Sequence, residues 1–139
     1  MMQPYDIHKA AGIIIKGRKL LVERSTGKDV FIAPGGKLEK GETAKQSLVR
    51  ELNEEFSLTI DEDQLEEFGE FYAEAAGSHN TGKTVRMDVF IVKSFGEIIP
   101  ASEVEEIRWI TSELPKDIEV GSIFAHEVLP RLKKMELVD

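Results

Sequence analysis

Three glutamates close together in the chain, Glu51, Glu54 and Glu55, are the side chains most suited to chemistry. A capping-box pattern followed by apolar residues at helical spacing predicts a helix over residues 43–56. On a helical projection the three glutamates border the apolar stripe and do not lie on the opposite, solvated face. The spacing therefore predicts a set of carboxylates at the edge of the protein interior.

Neighbouring carboxylates at such an edge repel one another. Glu51 and Glu55 are one helical turn apart, about 6 Å along the axis, and partial burial increases the cost of keeping both ionised. Protonation or a bound divalent cation relieves that cost, and a set of oxygen ligands suits Mg²⁺ or Mn²⁺. The alternative is that the glutamates are solvated, since Glu side chains usually face water.

A longer pattern surrounds these glutamates. Its fixed positions are Gly36, Glu42, Arg50, Glu51, Leu52, Glu54, Glu55 and Leu58. The spacing resembles the Nudix box, G-x5-E-x7-R-E-U-x-E-E-x-G-U, in which U is an apolar residue. The preceding Pro34-Gly35 and the following Lys37 strengthen the resemblance, because family members often read PGGK there.

One defined position of the box differs. Ser57 stands where the family has a glycine that ends the helix, in a left-handed conformation that costs a side chain roughly 1–2 kcal/mol. The position supplies geometry and no ligand, so we expect a local cost in stability and an intact site. Arg50 and Glu42 look structural, because Arg50 can fork onto a box carboxylate such as Glu54.

The resemblance implies a reaction and a cofactor. Nudix proteins hydrolyse nucleoside diphosphates linked to another moiety, by attack of water at phosphorus, with Mg²⁺ or Mn²⁺. Carried over to this chain, Glu51, Glu54 and Glu55 would bind the metal together with the carbonyl of Gly35. Divalent cations at that place would neutralise phosphate charge before another nucleophile approaches.

The resemblance leaves the general base open. In relatives the base is a box glutamate or a carboxylate of a later loop, so Glu51, Glu55 and Glu103 are the catalytic candidates. Glu103 is otherwise a solvated loop acid. Lys37 and Arg24 are candidates for contact with substrate phosphate, although both are equally consistent with ordinary surface charge.

Strands and helices are interspersed along the chain. The predicted strands cover residues 11–15, 19–23, 31–33, 68–75, 84–93 and 105–110, with a turn at residues 16–18. Pro34-Gly35-Gly36 is expected to interrupt regular structure, and Pro130 to kink or split a helix over residues 120–132. This order predicts one α/β domain, residues 1–139, with a mixed sheet covered by helices. The resemblance implies a Nudix-like α/β/α sandwich with a mixed β-sheet flanked by helices.

Composition excludes several classes of protein. The 139 residues contain no cysteine, which excludes disulfide scaffolds and thiol nucleophiles. A net charge of −8 argues against a nucleic-acid polymer or an anionic membrane as partner. With no apolar run of membrane-spanning length and no visible secretory signal, we expect a cytoplasmic protein with a small nucleotide as partner. The sequence does not determine the oligomeric state.

A second motif points elsewhere. Residues 77–84 read GSHNTGKT and fit the Walker A pattern of P-loop NTPases, which requires a helix directly after the lysine. The following residues are β-branched and aromatic and predict a strand, so this segment is interpreted as a connection between strands. It could border the substrate pocket, with His79 or Lys83 reaching inward. A nucleotide-binding sensor built on the same fold is the other alternative, and it would be expected to lose box carboxylates.

The substrate is predicted by analogy within the family. No proline lies between Leu58 and Glu97, which counts against ADP-ribose, and Tyr72 lies slightly early for the tyrosine marker of dinucleoside polyphosphate hydrolases. The short chain resembles the MutT-like group, which acts on nucleoside triphosphates including oxidised guanine nucleotides. We therefore expect a (d)NTP pyrophosphohydrolase that releases pyrophosphate and a nucleoside monophosphate.

Overall fold

A computed structural model describes residues 4–74 and 82–139, which form nine strands and two α-helices. The strands are β1 (Ile7–Ile13), β2 (Ile15–Lys16), β3 (Lys19–Ser25), β4 (Val30–Phe31), β5 (Gly35–Lys37), β6 (Leu65–Glu74), β7 (Thr84–Val92), β8 (Val104–Ile110) and β9 (Glu119–Val120). The helices are α1 (Ala44–Phe56) and α2 (Leu129–Lys134). A 3₁₀ turn at Glu62–Gln64 precedes β6, and a π turn at Phe124–Val128 precedes α2.

The strands form two sheets and a short pair. The larger sheet has the order β5-β1-β7-β6, in which β1 and β7 are parallel and the other pairs are antiparallel. The second sheet, β2-β3-β8, is antiparallel, and β4 pairs in parallel with β9. The predicted mixed sheet is therefore confirmed.

Apolar clusters on both sides of the strands show where the helices pack. One cluster joins Leu48, Leu52 and Phe56 of α1 to buried strand residues. The other joins Phe124 of the π turn and Leu132 of α2 to the opposite strand faces. Strand layers thus lie between helices, as the α/β/α prediction requires. In the described parts of the chain, no helix has the length and apolar character needed to cross a membrane.

The predicted hairpin at the start of the chain has different boundaries. β1 runs from Ile7 to Ile13, and the hairpin is made by β2 and β3, with Ile15 opposite Leu20. The chain passes from one sheet to the other at Ile14. Ile13 and Ile14 are both fully buried, in different clusters, so this apolar run serves both sides of the fold.

The expectation that the Pro-Gly-Gly segment interrupts regular structure is wrong for the two glycines. Gly35 and Gly36 pair with Ala11 and Ala10 of β1, as part of β5. Gly35 has a φ of 141°, and a Cβ there would overlap the carbonyl oxygen of Ala10. Glycine therefore permits a strand pairing that a side chain would prevent.

Both ends of α1 have the features that the sequence predicts. Thr43 and Gln46 form the capping box of α1, and Ser57 ends the helix in the left-handed conformation, with φ 58° and ψ 29°. The predicted helix over residues 120–132 starts too early, because Val120 belongs to β9. Pro130 occupies the first turn of α2, directly after the π turn. Proline has no N–H for the normal helical hydrogen bond, which explains the predicted change of helix at this point.

Two further expectations concern the segment before β7. Thr84 begins β7, so the Walker-like lysine is followed by a strand, as predicted. Lys83 itself is exposed. Ala75 and His79 lie outside the described residues.

Candidate active site

A pocket lined mainly by carboxylates lies between α1 and the loop that precedes β8. The cavity of about 320 Å³ is lined by Ser25, Glu51, Glu54, Glu55, Ser102, Glu103 and Val104. We call it the acid pocket. It brings together the three box glutamates and the later-loop candidate Glu103, and no basic side chain of the described residues lines it. Such a surface favours cations and repels a bare phosphate.

Helix α1 holds its glutamates at different depths. The Glu51 side chain is 17% exposed and that of Glu54 is 53% exposed, while Glu55 is half-buried. Burial is the main cause that raises the pKa values of Glu51 and Glu55 above their ordinary value. The predicted position at the edge of the apolar stripe agrees with the depths of Glu51 and Glu55, whereas Glu54 is exposed to solvent.

The backbone of β5 lies against the same carboxylates. The Gly35 N–H donates to Oε1 of Glu55 at 3.0 Å. A Cβ on Gly36 would lie 2.7 Å from Oε1 of Glu51, closer than normal packing allows. The two glycines therefore let a strand edge approach the acid pocket, with Gly35 beside Glu55.

The loop carrying Glu103 is fixed through its backbone. The Thr26 N–H donates to the Glu103 carbonyl oxygen at 2.9 Å, and the Thr26 hydroxyl approaches the same oxygen at 3.3 Å. Ser102, directly before it, has a φ of 55°. These constraints hold the Glu103 backbone while its side chain lines the acid pocket opposite α1.

Arg50 of α1 forms hydrogen bonds with several neighbouring glutamates. Its guanidinium donates to both carboxylate oxygens of Glu42, at 2.8 and 3.0 Å, and to Glu51 at 3.0 Å. The contact with Glu54, which the sequence had favoured, is longer at 3.5 Å. The bidentate pair with Arg50 lowers the pKa of Glu42 to about 2. Glu42 thus keeps Arg50 in place beside the box glutamates.

Glu23 on β3 is a site residue that the sequence analysis missed. Its side chain is completely buried, and no hydrogen-bond donor among the described residues approaches either of its carboxylate oxygens. Its carboxyl lies within hydrogen-bonding reach of that of Glu55. Burial first, and Glu55 second, raise the pKa of Glu23 far above its ordinary value.

A sequence signal for Glu23 existed. Alternation along β3 puts Glu23 on the same face as Leu21, which packs into the α1 cluster. An acid at that position of a strand buried on both faces is costly unless something compensates its charge.

The two predicted phosphate-binding residues do not line the acid pocket. Arg24 donates to Glu105 at 2.9 Å and to Glu106 at 3.3 Å, both on β8. Lys37 is exposed at the edge of β5. Neither side chain therefore contacts the carboxylates of the acid pocket, although β3 and β5, which carry them, border that pocket.

An apolar cleft opens on the other side of the Gly35–Gly36 strand edge. Its cavity of about 140 Å³ is lined partly by Ile32, Met87, Ile123 and Phe124, together with Lys9 and both glycines. Lys9 lies opposite Lys37 in the strand register, and burial is the main cause that lowers its pKa. This half-buried cation was also missed, because strand pairing alone brings it to the cleft.

The donor atoms of the acid pocket suit a divalent cation, but their present positions do not form a coordination shell. The pocket's oxygen-only donors suit Mg²⁺ or Mn²⁺, and no basic side chain of the described residues lines it. Glu23, buried behind the pocket beside Glu55, is a further carboxylate without a donor among these residues. In residues 4–74 and 82–139, however, no three His, Asp or Glu side chains converge as they stand closely enough to hold an ion. Since Glu51 is tied to Arg50, side-chain rotation is required for shared coordination.

Known proteins resemble this chain in sequence and in fold. An uncharacterized Nudix hydrolase of Bacillus subtilis, YvcI, is 30% identical over 92 residues, which are 66% of this chain and 57% of that protein. The match thus spans little more than half of the relative. The Escherichia coli ORF135 protein has a TM-score of 0.71 at 23% identity, over 96% of this chain and 94% of that one.

A MutT Nudix hydrolase from Burkholderia pseudomallei has a TM-score of 0.65 at 18% identity, over 81% of this chain and 88% of that one. At these identities the two solved structures show the shared fold alone. The sequence model of the NUDIX domain matches residues 6–132, which include β1, the whole acid pocket and most of α2. The chain therefore belongs to the Nudix family.

Proposed function

We propose that this protein is a hydrolase of pyrophosphate bonds that cleaves a nucleoside diphosphate-linked substrate with the help of Mg²⁺ or Mn²⁺. The observation that carries the proposal is the acid pocket, where four carboxylates from α1 and the loop before β8 face one cavity. Membership of the Nudix family supports the same reaction class.

The box glutamates and β5 are the proposed metal-binding elements. Glu51, Glu54 and Glu55 supply carboxylate oxygens, and the Gly35 carbonyl is the further candidate ligand. When bound, the cation neutralises phosphate charge and lowers the pKa of a coordinated water. Glu42 holds Arg50, and Arg50 holds the carboxylate of Glu51. Glu51 must therefore rotate away from Arg50 before it can share an ion.

Glu51, Glu55 and Glu103 are the proposed catalytic residues. One of them accepts the proton of a water whose oxygen forms a new bond to phosphorus, while the bridging P–O bond breaks and the phosphate-bearing group on its other side departs with the bridging oxygen. Glu103 lies across the pocket from α1, on a backbone held by Thr26. That position suits a base that approaches the water from the side opposite the other carboxylates.

The apolar cleft supports a nucleotide as substrate. A base can lie between its apolar walls while the phosphates pass the Gly35–Gly36 edge toward the acid pocket. Lys9, with Lys37 beside it, provides positive charge along the border of this path. Arg24, near the end of β3, would have to leave Glu105 and Glu106 to contact phosphate. We propose a (d)NTP of the MutT type, with oxidised guanine nucleotides included, and pyrophosphate and a nucleoside monophosphate as products.

A substrate panel tests this proposal. (d)NTPs, oxidised dGTP, ADP-ribose, dinucleoside polyphosphates and nucleotide sugars are assayed with Mg²⁺ and with Mn²⁺, and again in chelator. We expect hydrolysis of (d)NTPs that chelator abolishes. Preference for ADP-ribose or a nucleotide sugar would overturn the substrate, and nucleotide binding without any hydrolysis would favour the sensor alternative.

A pair of variants tests the site itself. Glu55→Gln removes a box carboxylate, and Lys83→Ala removes the lysine of the Walker-like segment. We expect the first to abolish turnover and the second to leave it nearly unchanged, since a strand follows Lys83. A larger loss in Lys83→Ala would contradict the assignment of the acid pocket.

A further inference from the structure

We propose that Glu23 is a metal ligand, and that a divalent cation binds between the carboxylates of Glu23 and Glu55. The inference rests on the proposed function, since it takes Glu55 to be part of the metal site. It adds to that site a residue from β3, which lies outside the box and is distant from it in sequence.

The Glu23 backbone is held on both sides. Its N–H donates to the Ile32 carbonyl and its carbonyl accepts from the Ile32 N–H, both at 2.7 Å, while Ile107 of β8 is its register partner on the other edge. Because the backbone is paired on both edges, the residue cannot turn its side chain out to solvent without opening two strand contacts. The carboxylate therefore stays inside, next to Glu55.

Among residues 4–74 and 82–139, the charged groups around Glu23 are negative, and none is a positive partner. Both of its oxygens lack a donor among the described residues, and the charged groups that act on it are Glu55 and Glu51. Arg50 is already paired with Glu42 and Glu51. An uncompensated carboxylate in the interior is costly, and a cation between the two groups removes the cost.

Two neighbouring carboxylates can share such a cation. Octahedral Mg²⁺ holds its oxygen ligands at 2.0–2.1 Å, so two adjacent ligand oxygens lie about 3 Å apart. Glu23 and Glu55 are neighbours that act directly on each other, so their oxygens can take up this separation around one ion.

The test compares metal binding in wild type and three glutamine variants without nucleotide. Glu23→Gln and Glu55→Gln each remove one proposed ligand, and Glu66→Gln is the matched control, an exposed strand glutamate on β6. Calorimetric titration with Mn²⁺ gives the affinity, and thermal unfolding in chelator and in saturating Mn²⁺ gives the stability of each state. Glu23→Met, apolar and of similar volume, replaces Glu23→Gln if the latter does not fold.

We expect Glu23→Gln to weaken Mn²⁺ binding by at least about tenfold, the usual lower cost of disturbing a metal site. The rise in Tm caused by Mn²⁺ should shrink in the same variant, because one ligand of the ion is lost. Glu66→Gln should match wild type in all three measurements. Unchanged Mn²⁺ affinity in Glu23→Gln, or a lower Tm in chelator with an unchanged metal-induced rise, would overturn the inference and leave Glu23 a structural residue.

The same data separate this inference from the proposed function. If Glu55→Gln loses Mn²⁺ binding and Glu23→Gln does not, only the role of Glu23 fails. If wild type binds no Mn²⁺, or Glu55→Gln binds it as wild type does, the proposed metal site fails as a whole.

Discussion

Two glutamates at α1, Glu42 and Glu55, have opposite electrostatic surroundings. Glu42 lies in the fork of Arg50, at 2.8 and 3.0 Å, and its pKa is lowered to about 2. Glu55 contacts Glu23, another acid, and burial raises its pKa. Glu42 has a positive partner in Arg50, whereas Glu55 has none in the part of the chain that the structure describes.

The difference separates a structural role from a chemical one. A carboxylate satisfied by arginine stabilises the fold and has little capacity left for a ligand. A half-buried carboxylate without a cationic partner is a cost that folding alone does not explain, and such groups are typical of functional sites. An external cation would therefore stabilise the protein most by binding at Glu55 and Glu23.

The largest effect is expected from Glu55→Gln. Hydrolysis should fall by about 10²–10⁴-fold, the range for loss of a positioned acid–base group, with metal binding lost as well. Stability in chelator should not fall, because a buried charge is removed. Steady-state kinetics with the preferred nucleotide measures the first effect. Activity within a factor of a few of wild type would place the chemistry elsewhere.

Arg50→Gln should act mainly on stability. Hydrogen bonds to charged groups are worth about 1.5–3 kcal/mol, and solvent screening of this 23% exposed side chain reduces that to about 1–2 kcal/mol of unfolding free energy. Arg50→Lys is the control and should recover only part of the loss, since lysine cannot form the bidentate fork. Urea denaturation checks both variants, and equal stability of lysine and arginine would argue against the fork.

The pH dependence of stability should show two windows of opposite sign. For Glu42, whose folded pKa is lowered, the stabilisation is present above the usual pKa of 4.5 and is lost as the pH falls toward 2. For Glu23 and Glu55, whose folded pKa values are raised, stability is fullest below 4.5 and declines as the pH rises through the neutral range.

Thermal unfolding in chelator at pH 3, 5, 7 and 9 checks both windows. We expect a maximum near pH 5, and saturating Mg²⁺ should reduce the decline between pH 5 and pH 9. A metal-free protein that gains stability over that interval would contradict the assignment of the Glu23–Glu55 pair as uncompensated.

The smallest effect is expected at Ser57. Its left-handed conformation strains a side chain, so Ser57→Gly should raise the unfolding free energy by up to about 1 kcal/mol, partly offset by the greater freedom of glycine in the unfolded chain. Ser57→Ala keeps the strain and should show no gain. Activity should be unchanged in both variants, and a change in turnover would mean that the helix end positions Glu55.

Much of the helix could be predicted because its signals are local. Thr43 and Gln46 cap α1, and the spacing of Leu48, Leu52 and Phe56 fixes which side faces the core. The position of Glu51 and Glu55 at the border follows from the same periodicity. The strand after Lys83 and the change of helix at Pro130 are equally local, and the structure confirms both.

Other features depend on contacts between distant segments. Gly35 and Gly36 form a strand only because β1 lies beside them, and Lys9 reaches the cleft only through that pairing. Glu103 lines the acid pocket because Thr26 holds its loop. No periodicity within one segment predicts such neighbours.

The sequence by itself determined the family, through a box of fixed residue types, and predicted that the spacing along one helix gathers carboxylates on one edge. Only the tertiary structure decided which of those carboxylates are neutralised and which are not. Glu42 meets Arg50 within one local stretch, whereas Glu23 meets Glu55 only after β3 packs against α1. Desolvation and charge–charge interactions depend on burial and on the distances between groups, and only the folded chain sets both.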